Sequence, residues 1–104
     1  MDTELKPGVY VRGRILTVTG NLYNRKDGSG QFVRVRHEIS TRPGLIEYEQ
    51  VLDPAKDAGI KIEGGKLTAF PSIPEETMVT LRVEPGGIGE YKGKVRINRA
   101  ERVA

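Results

Sequence analysis

Gln31-Phe32-Val33-Arg34-Val35-Arg36-His37-Glu38-Ile39 alternates with a period of two, the pattern of a half-buried β-strand. One face carries Val33, Val35, His37 and Ile39 and can fill a core. The other carries Phe32, Arg34, Arg36 and Glu38. An aromatic ring and two guanidinium groups side by side on open sheet suit a nucleic-acid strand, because Arg neutralises phosphate and a ring stacks on a base. The competing reading is a solvated face with one exposed Phe, since isolated exposed apolar residues are common. The loop before the strand, Asn24-Arg25-Lys26-Asp27-Gly28-Ser29-Gly30, is basic and reads as flexible.

Upstream, residues 8–23 form the longest strand candidate. The apolar phase runs through Val9, Val11, Gly13 and Ile15, then slips by one to Leu16, Val18, Gly20 and Leu22. A slip of this kind is what a β-bulge produces, with added bend and twist. A long bent first strand can serve both halves of a small closed barrel. Downstream, Arg42-Pro43-Gly44 reads as a turn and residues 45–52 as a strand. Its preferred phase puts Ile46, Tyr48 and Leu52 inward and Glu47 and Glu49 outward. The opposite phase would bury Leu45 and Val51.

Asp53-Pro54-Ala55-Lys56-Asp57-Ala58-Gly59 carries the helix-like signal, with Asp53 as N-cap, Pro54 at the first helical position and Gly59 as the stop. Residues 60–70 read as a hairpin turning at Gly64-Gly65. Strand 77–84 follows with Val79, Leu81 and Val83 in phase, then a Gly-rich loop over 85–91. A last strand over 91–100 has Val95 and Ile97 inward and Lys92, Lys94, Arg96 and Asn98 outward. The expected fold is therefore all-β: a five-stranded, OB-fold-like Greek-key barrel with a short helical turn and hairpin inserted between strands 3 and 4. An SH3-like barrel is the structural alternative.

The chain has 104 residues and is expected to form one OB-fold-like domain over 1–104. Its net charge of +3 is unevenly spread. Residues 91–102 hold five cations against one acid, residues 23–36 four against one, and residues 38–76 four against eight acids. In an OB barrel the loops 24–30 and 85–91 flank one face, so the two basic segments would share a groove, the footprint of a phosphate-backbone binder.

The candidate nucleic-acid-binding residues are Tyr23, Arg25, Lys26, Phe32, Arg34, Arg36, Tyr91, Lys92, Lys94 and Arg96. Lys92, Lys94 and Arg96 are spaced for one strand face with no acid between them, more cation than protection of a sheet edge requires. His37, in apolar company, reads as a hydrogen-bonded core residue. Glu47 and Glu49 share a strand face, but two carboxylates need further ligands to hold a metal. With no Cys and one His, disulfides, zinc–thiolate sites and multi-histidine metal sites are excluded. Gly86-Gly87-Ile88-Gly89 lacks the Gly-Lys-Ser/Thr of a P-loop, and no nucleophile motif appears. The expectation is a non-enzyme without metal or cofactor. No apolar run approaches the ~20 residues of a membrane helix. Residues 1–7 lack the features of a signal peptide, so the default location is the cytoplasm.

The basic loop and following aromatic (Arg25-Lys26-Asp27-Gly28-Ser29-Gly30-Gln31-Phe32) and the closing run Gly89-Glu90-Tyr91-Lys92-Gly93-Lys94-Val95-Arg96-Ile97 resemble those of the small OB-fold single-stranded-DNA-binding proteins of filamentous phages and related mobile elements. The resemblance covers about half the chain and is a pattern of residue types. It implies sequence-tolerant binding of single-stranded DNA, a homodimer, cooperative coating of single strands and a place in DNA replication. By motif position it marks Arg25, Lys26, Phe32 and Tyr91. The acidic segment 47–63 and the hairpin 60–70 depart from that pattern. Single-stranded nucleic acid, DNA preferred over RNA, is the expected partner. The alternative is a protein-interaction or assembly module on the same barrel, docking a basic partner at Glu47, Glu49, Asp53 and Asp57. Oligosaccharide binding is a weaker third reading, since Trp is absent.

Overall fold

A computed structural model describes residues 8–104; the heptapeptide 1–7, read above for targeting signals, lies outside them. Among the described residues there is no helix, and nothing long and apolar enough to cross a membrane as one. The chain forms β1 (Val9–Asn24), β2 (Gln31–Ser40), β3 (Leu45–Leu52), β4 (Lys61–Glu63), β5 (Lys66–Ala69), β6 (Met78–Val83), β7 (Ile88–Tyr91), β8 (Lys94–Ile97) and β9 (Ala100–Arg102). Seven strands make one mixed sheet in the order β7-β8-β3-β2-β1-β6-β9, and β4 and β5 pair as a separate hairpin.

The phase slip in β1 is a register shift between Ile15 and Thr17. Before it, β1 pairs with β6, Val9 opposite Val83 through Arg14 opposite Met78. On its other edge β1 pairs with β2 on both sides of the shift, from Arg14 opposite Ser40 to Asn24 opposite Gln31. Leu16 is the extra residue that lets one strand keep its apolar side inward through the bend. Gly20 lies in the second half, where a Cβ would stand 2.5 Å from the Phe70 ring. Its bare backbone is therefore what lets the connection after β5 pack onto the sheet.

The inward face of β2 is as expected, with Val33, Val35, His37 and Ile39 fully buried. In β3 the preferred phase holds: Tyr48 is buried, while Leu45 and Val51 are more than half exposed. Ile15, Ile39, Tyr48, Ile73, Val79, Leu81, Val83 and Ile97 form the core cluster. Each fully buried aliphatic side chain contributes roughly 1.5–3 kcal/mol. His37 is held from both sides: its Nδ1 lies 3.3 Å from the Tyr48 carbonyl and its Nε2 accepts the Ile73 amide at 3.0 Å. A donor at Nε2 fixes the neutral tautomer with the proton on Nδ1. Burial pushes this imidazole below its ordinary value, against a smaller upward effect of the Tyr48 carbonyl.

Two expectations need correction. Residues 53–59 form a hydrogen-bonded turn and no helix. Asp57 N donates to Asp53 O at 2.7 Å, and the Asp53 and Asp57 carboxylates accept the amides of Ala55 and Asp53. These short-range bonds satisfy the segment before a second helical turn can form. Second, residues 85–91 are not all loop and 91–100 is not one strand. Ile88–Tyr91 pairs antiparallel with Lys94–Ile97 around Lys92 (φ 51°) and Gly93 (φ 78°), both in the left-handed region that a two-residue hairpin turn requires.

β8 runs parallel to β3, with Glu47 opposite Arg96 and Tyr48 opposite Ile97. β9 runs antiparallel to β6, with Leu81 opposite Arg102. Only Asn98 and Arg99 separate β8 from β9, although the two strands lie toward opposite edges of the sheet. The C-terminal run thus draws the edges together and curls the sheet into a half-barrel. Bonds between Thr80 and Val103–Ala104 extend that closure.

Candidate nucleic-acid interface

Directly opposed residues of neighbouring strands lie on one face. Since Val33, Val35, His37 and Ile39 point inward, Phe32, Arg34, Arg36 and Glu38 lie on the outer face. Beside them stand Asn21 and Tyr23 of β1, opposite Arg34 and Phe32, and Glu47, Glu49 and Val51 of β3, opposite Glu38, Arg36 and Arg34. Arg96 of β8 stands opposite Glu47. The two basic segments therefore share one face, but β3 runs between them and brings its carboxylates.

That placement changes the electrostatics. Glu49 contacts three guanidinium groups: Arg34 Nε, Arg36 Nε and Arg96 Nη1, each at 3.4 Å. Glu47 contacts Arg96 Nη2 at 2.9 Å and Arg36 Nε at 3.7 Å, and Lys94 reaches Glu38 at 3.5 Å. Glu49 is buried, although an outward strand residue was expected to face water; the arginines cover it. Four cations meet three carboxylates, leaving this ladder at +1. The expected stretch of cations without an acid between them is interleaved in space. Arg34 Nε, Arg96 Nε and Glu47 Oε1 have no hydrogen-bond partner among the described residues. Parts of the ladder are thus charge contacts without directed hydrogen bonds.

Aromatic rings stand at two ends of it. Tyr23 and Phe32 stack with centroids 5.3 Å apart and planes at 19°. Arg34 lies 5.4 Å from the Tyr23 centroid and 5.7 Å from that of Phe32, and Arg25 lies 5.5 Å from Phe32. Tyr91 is half exposed, with the Arg96 guanidinium 4.3 Å and Lys92 Nζ 5.4 Å from its ring. Guanidinium over an aromatic face is attractive and holds both groups in place.

The loop after β1 is more ordered than its composition implies. Arg25 N donates to Gly30 O at 2.8 Å, and Asp27 accepts both Ser29 Oγ (2.6 Å) and Ser29 N (2.9 Å). The Ser29 hydroxyl, then its amide, hold the Asp27 carboxyl below its usual value. Arg25, Lys26 and Lys92 make no ion pair among the described residues. Lys92 sits at the hairpin tip and does not share a strand face with Lys94 and Arg96, because the turn intervenes. Arg12 bonds Thr80 Oγ1 and Arg14 pairs with Glu76, so both are engaged on the β6 side.

Of the ten residues singled out in the sequence, Tyr23, Arg25, Phe32 and Arg34 form one cluster, Arg34, Arg36 and Arg96 meet through Glu49, and Tyr91, Lys92 and Arg96 form another. Lys94 joins through Glu38; Lys26 stands apart on its loop. The sequence reading missed Glu47 and Glu49 as members of the site. Their signal was the strand order, since a third strand between the two basic ones delivers whatever its outer positions carry. No family model, curated protein or solved structure matches the chain.

Proposed function

We propose that this face binds single-stranded nucleic acid, DNA in preference. The observation that carries the reading is the stacked Tyr23–Phe32 pair, bracketed by Arg25 and Arg34 at the surface beside a loop with two cations against one acid. Stacked rings with flanking guanidinium groups accept unpaired bases of any sequence, at about 1–3 kcal/mol per base. Duplex DNA hides its base faces and offers this surface only phosphate, and the ladder is nearly neutral. Binding on this account is led by stacking, with Arg25, Lys26 and Lys92 holding phosphates at the margins.

The strand order supports an OB-fold assignment. β1, β2 and β3 form consecutive hairpins and β6 returns over a long connection to lie beside β1, the Greek-key order. The later strand β8 then leads the chain back across the opening. On this reading the turn at 53–59 and the β4–β5 hairpin are the insertion. A single-stranded-DNA-binding protein of the small phage type, dimeric and cytoplasmic, remains the biological setting we propose. A protein-docking module is the second reading, favoured by Leu45 and Val51, more than half exposed at either end of β3. Its acidic form is weakened, because Glu47 and Glu49 face arginines and Asp53 and Asp57 cap a turn.

The test is anisotropy of a labelled oligo-dT with the parent protein and Phe32→Ala. Binding by the parent, weakened in the variant, supports the reading. Equal binding by both removes the stacked pair from the site.

A further inference from the structure

Beyond Tyr91 the outer side of β7 carries no side chain at Gly89. Gly89 lies two residues from Tyr91, on the same face, and opposite Arg96. A cavity of about 300 Å³ opens there, lined by Tyr91, Arg96, Asn98, Glu90, Gly86 and Gly89 among others. It falls at the small end of the roughly 300–1,000 Å³ typical of ligand sites. A Cβ on Gly89 would meet nothing within 4 Å, and its φ is not positive. Neither sterics nor backbone therefore requires glycine here, and its effect is to leave the space open.

The lining selects the ligand. Arg96 is already committed to Glu47 and Glu49 and Glu90 adds a carboxylate, so a phosphate would be held at the rim, where Lys92 and Arg99 stand at Tyr91 and Gly86. The Tyr91 ring is half exposed, with the Arg96 guanidinium over one face 4.3 Å from its centroid. Asn98 is exposed, and its side-chain amide makes no hydrogen bond among the described residues. A flat, uncharged ligand with hydrogen-bonding edges fits a ring wall, a bare floor and a free amide. An amide can pair through two hydrogen bonds with the open edge of an unpaired base, as it does with adenine in a duplex groove.

We propose that this cavity is a nucleobase subsite of the single-strand interface. The proposal rests on the single-strand reading above and adds a position to it.

The experiment compares the parent with Gly89→Val, Asn98→Leu and Phe32→Ala, by anisotropy of labelled oligo-dA and oligo-dT of equal length, with thermal melting of each protein. Valine is favoured in strands and its Cβ meets nothing within 4 Å, so Gly89→Val should melt no lower than the parent. It should bind oligo-dA roughly 5- to 150-fold more weakly, the loss of one stacked base. Asn98→Leu should weaken binding of both oligomers, and unchanged binding by it would remove the amide from the subsite. If Gly89→Val binds as the parent does while Phe32→Ala is weakened, the subsite is overturned and the single-strand reading stands. No binding of either oligomer by the parent overturns the subsite and the reading together.

Discussion

Arg96 and Glu49 meet beside the parallel β3–β8 pairing, Nη1 to Oε2 at 3.4 Å. The same oxygen lies 3.4 Å from Arg36 Nε, so a single carboxylate ties β2 and β8 across β3. Glu49→Gln keeps the shape and removes the charge. Loss of one partner of a fully buried pair costs ~3–5 kcal/mol. Arg34 and Arg36 keep 32% and 33% of their side-chain exposure, so solvent recovers part of that. The expected loss is about 1–3 kcal/mol, read as a lower urea midpoint with unchanged slope. An unchanged midpoint would show that the carboxylate holds nothing together.

The ladder also sets how binding responds to salt. Each phosphate neutralised on a single strand contributes about 0.7 to the log–log slope. Arg25→Ala with Lys26→Ala should flatten that slope by about 1.4, because neither cation has an ion-pair partner among the described residues. Arg34→Ala should change it less, since Glu49 already neutralises Arg34, and should act chiefly by loosening the Tyr23–Phe32 pair. Anisotropy titrations over a salt series check both. The reverse ranking would place the phosphates on the ladder.

Much of this was legible in the sequence because it depends on local periodicity. The slip from Ile15 to Leu16 marked the bulge, and the alternation over 31–39 assigned both faces of β2. The placement of Glu47 and Glu49 was not legible, because it depends on which strand lies between two others, a long-range fact that no window of sequence carries. β7 was hidden for another reason. Gly86-Gly87-Ile88-Gly89 has the composition of a loop, and Ile88–Tyr91 becomes a strand only because β8 supplies its hydrogen-bond partners.

The hairpin turn carries a removable strain. Lys92 adopts φ 51°, a region that penalises side chains other than Gly, Asn and Asp. Lys92→Asn should stabilise the protein by up to about 1 kcal/mol, seen as a higher melting temperature. A lower one would mean that the Lys92–Tyr91 contact outweighs the turn.

His37 makes stability fall in mild acid. Its folded value is depressed, so below the ordinary value near 6.5 the unfolded chain takes up a proton that the folded chain resists. Stability from this group is fully present above about pH 6.5 and is lost as pH falls toward the folded value, by at most ~1.4 kcal/mol per pH unit. Protonation also turns Nε2 from acceptor to donor and sets it against the Ile73 amide. Urea midpoints between pH 7 and 5 should drop for the parent and drop less for His37→Gln. Parallel slopes for both proteins would assign the acid response to other groups.

The most direct test of the central claim is the anisotropy of labelled oligo-dT with the parent protein at low and moderate salt, with excess duplex as competitor. The account predicts binding that survives the duplex and weakens only shallowly with salt, by the few phosphates that Arg25, Lys26 and Lys92 can hold. Absence of binding at low salt, or binding that the duplex removes, would contradict it.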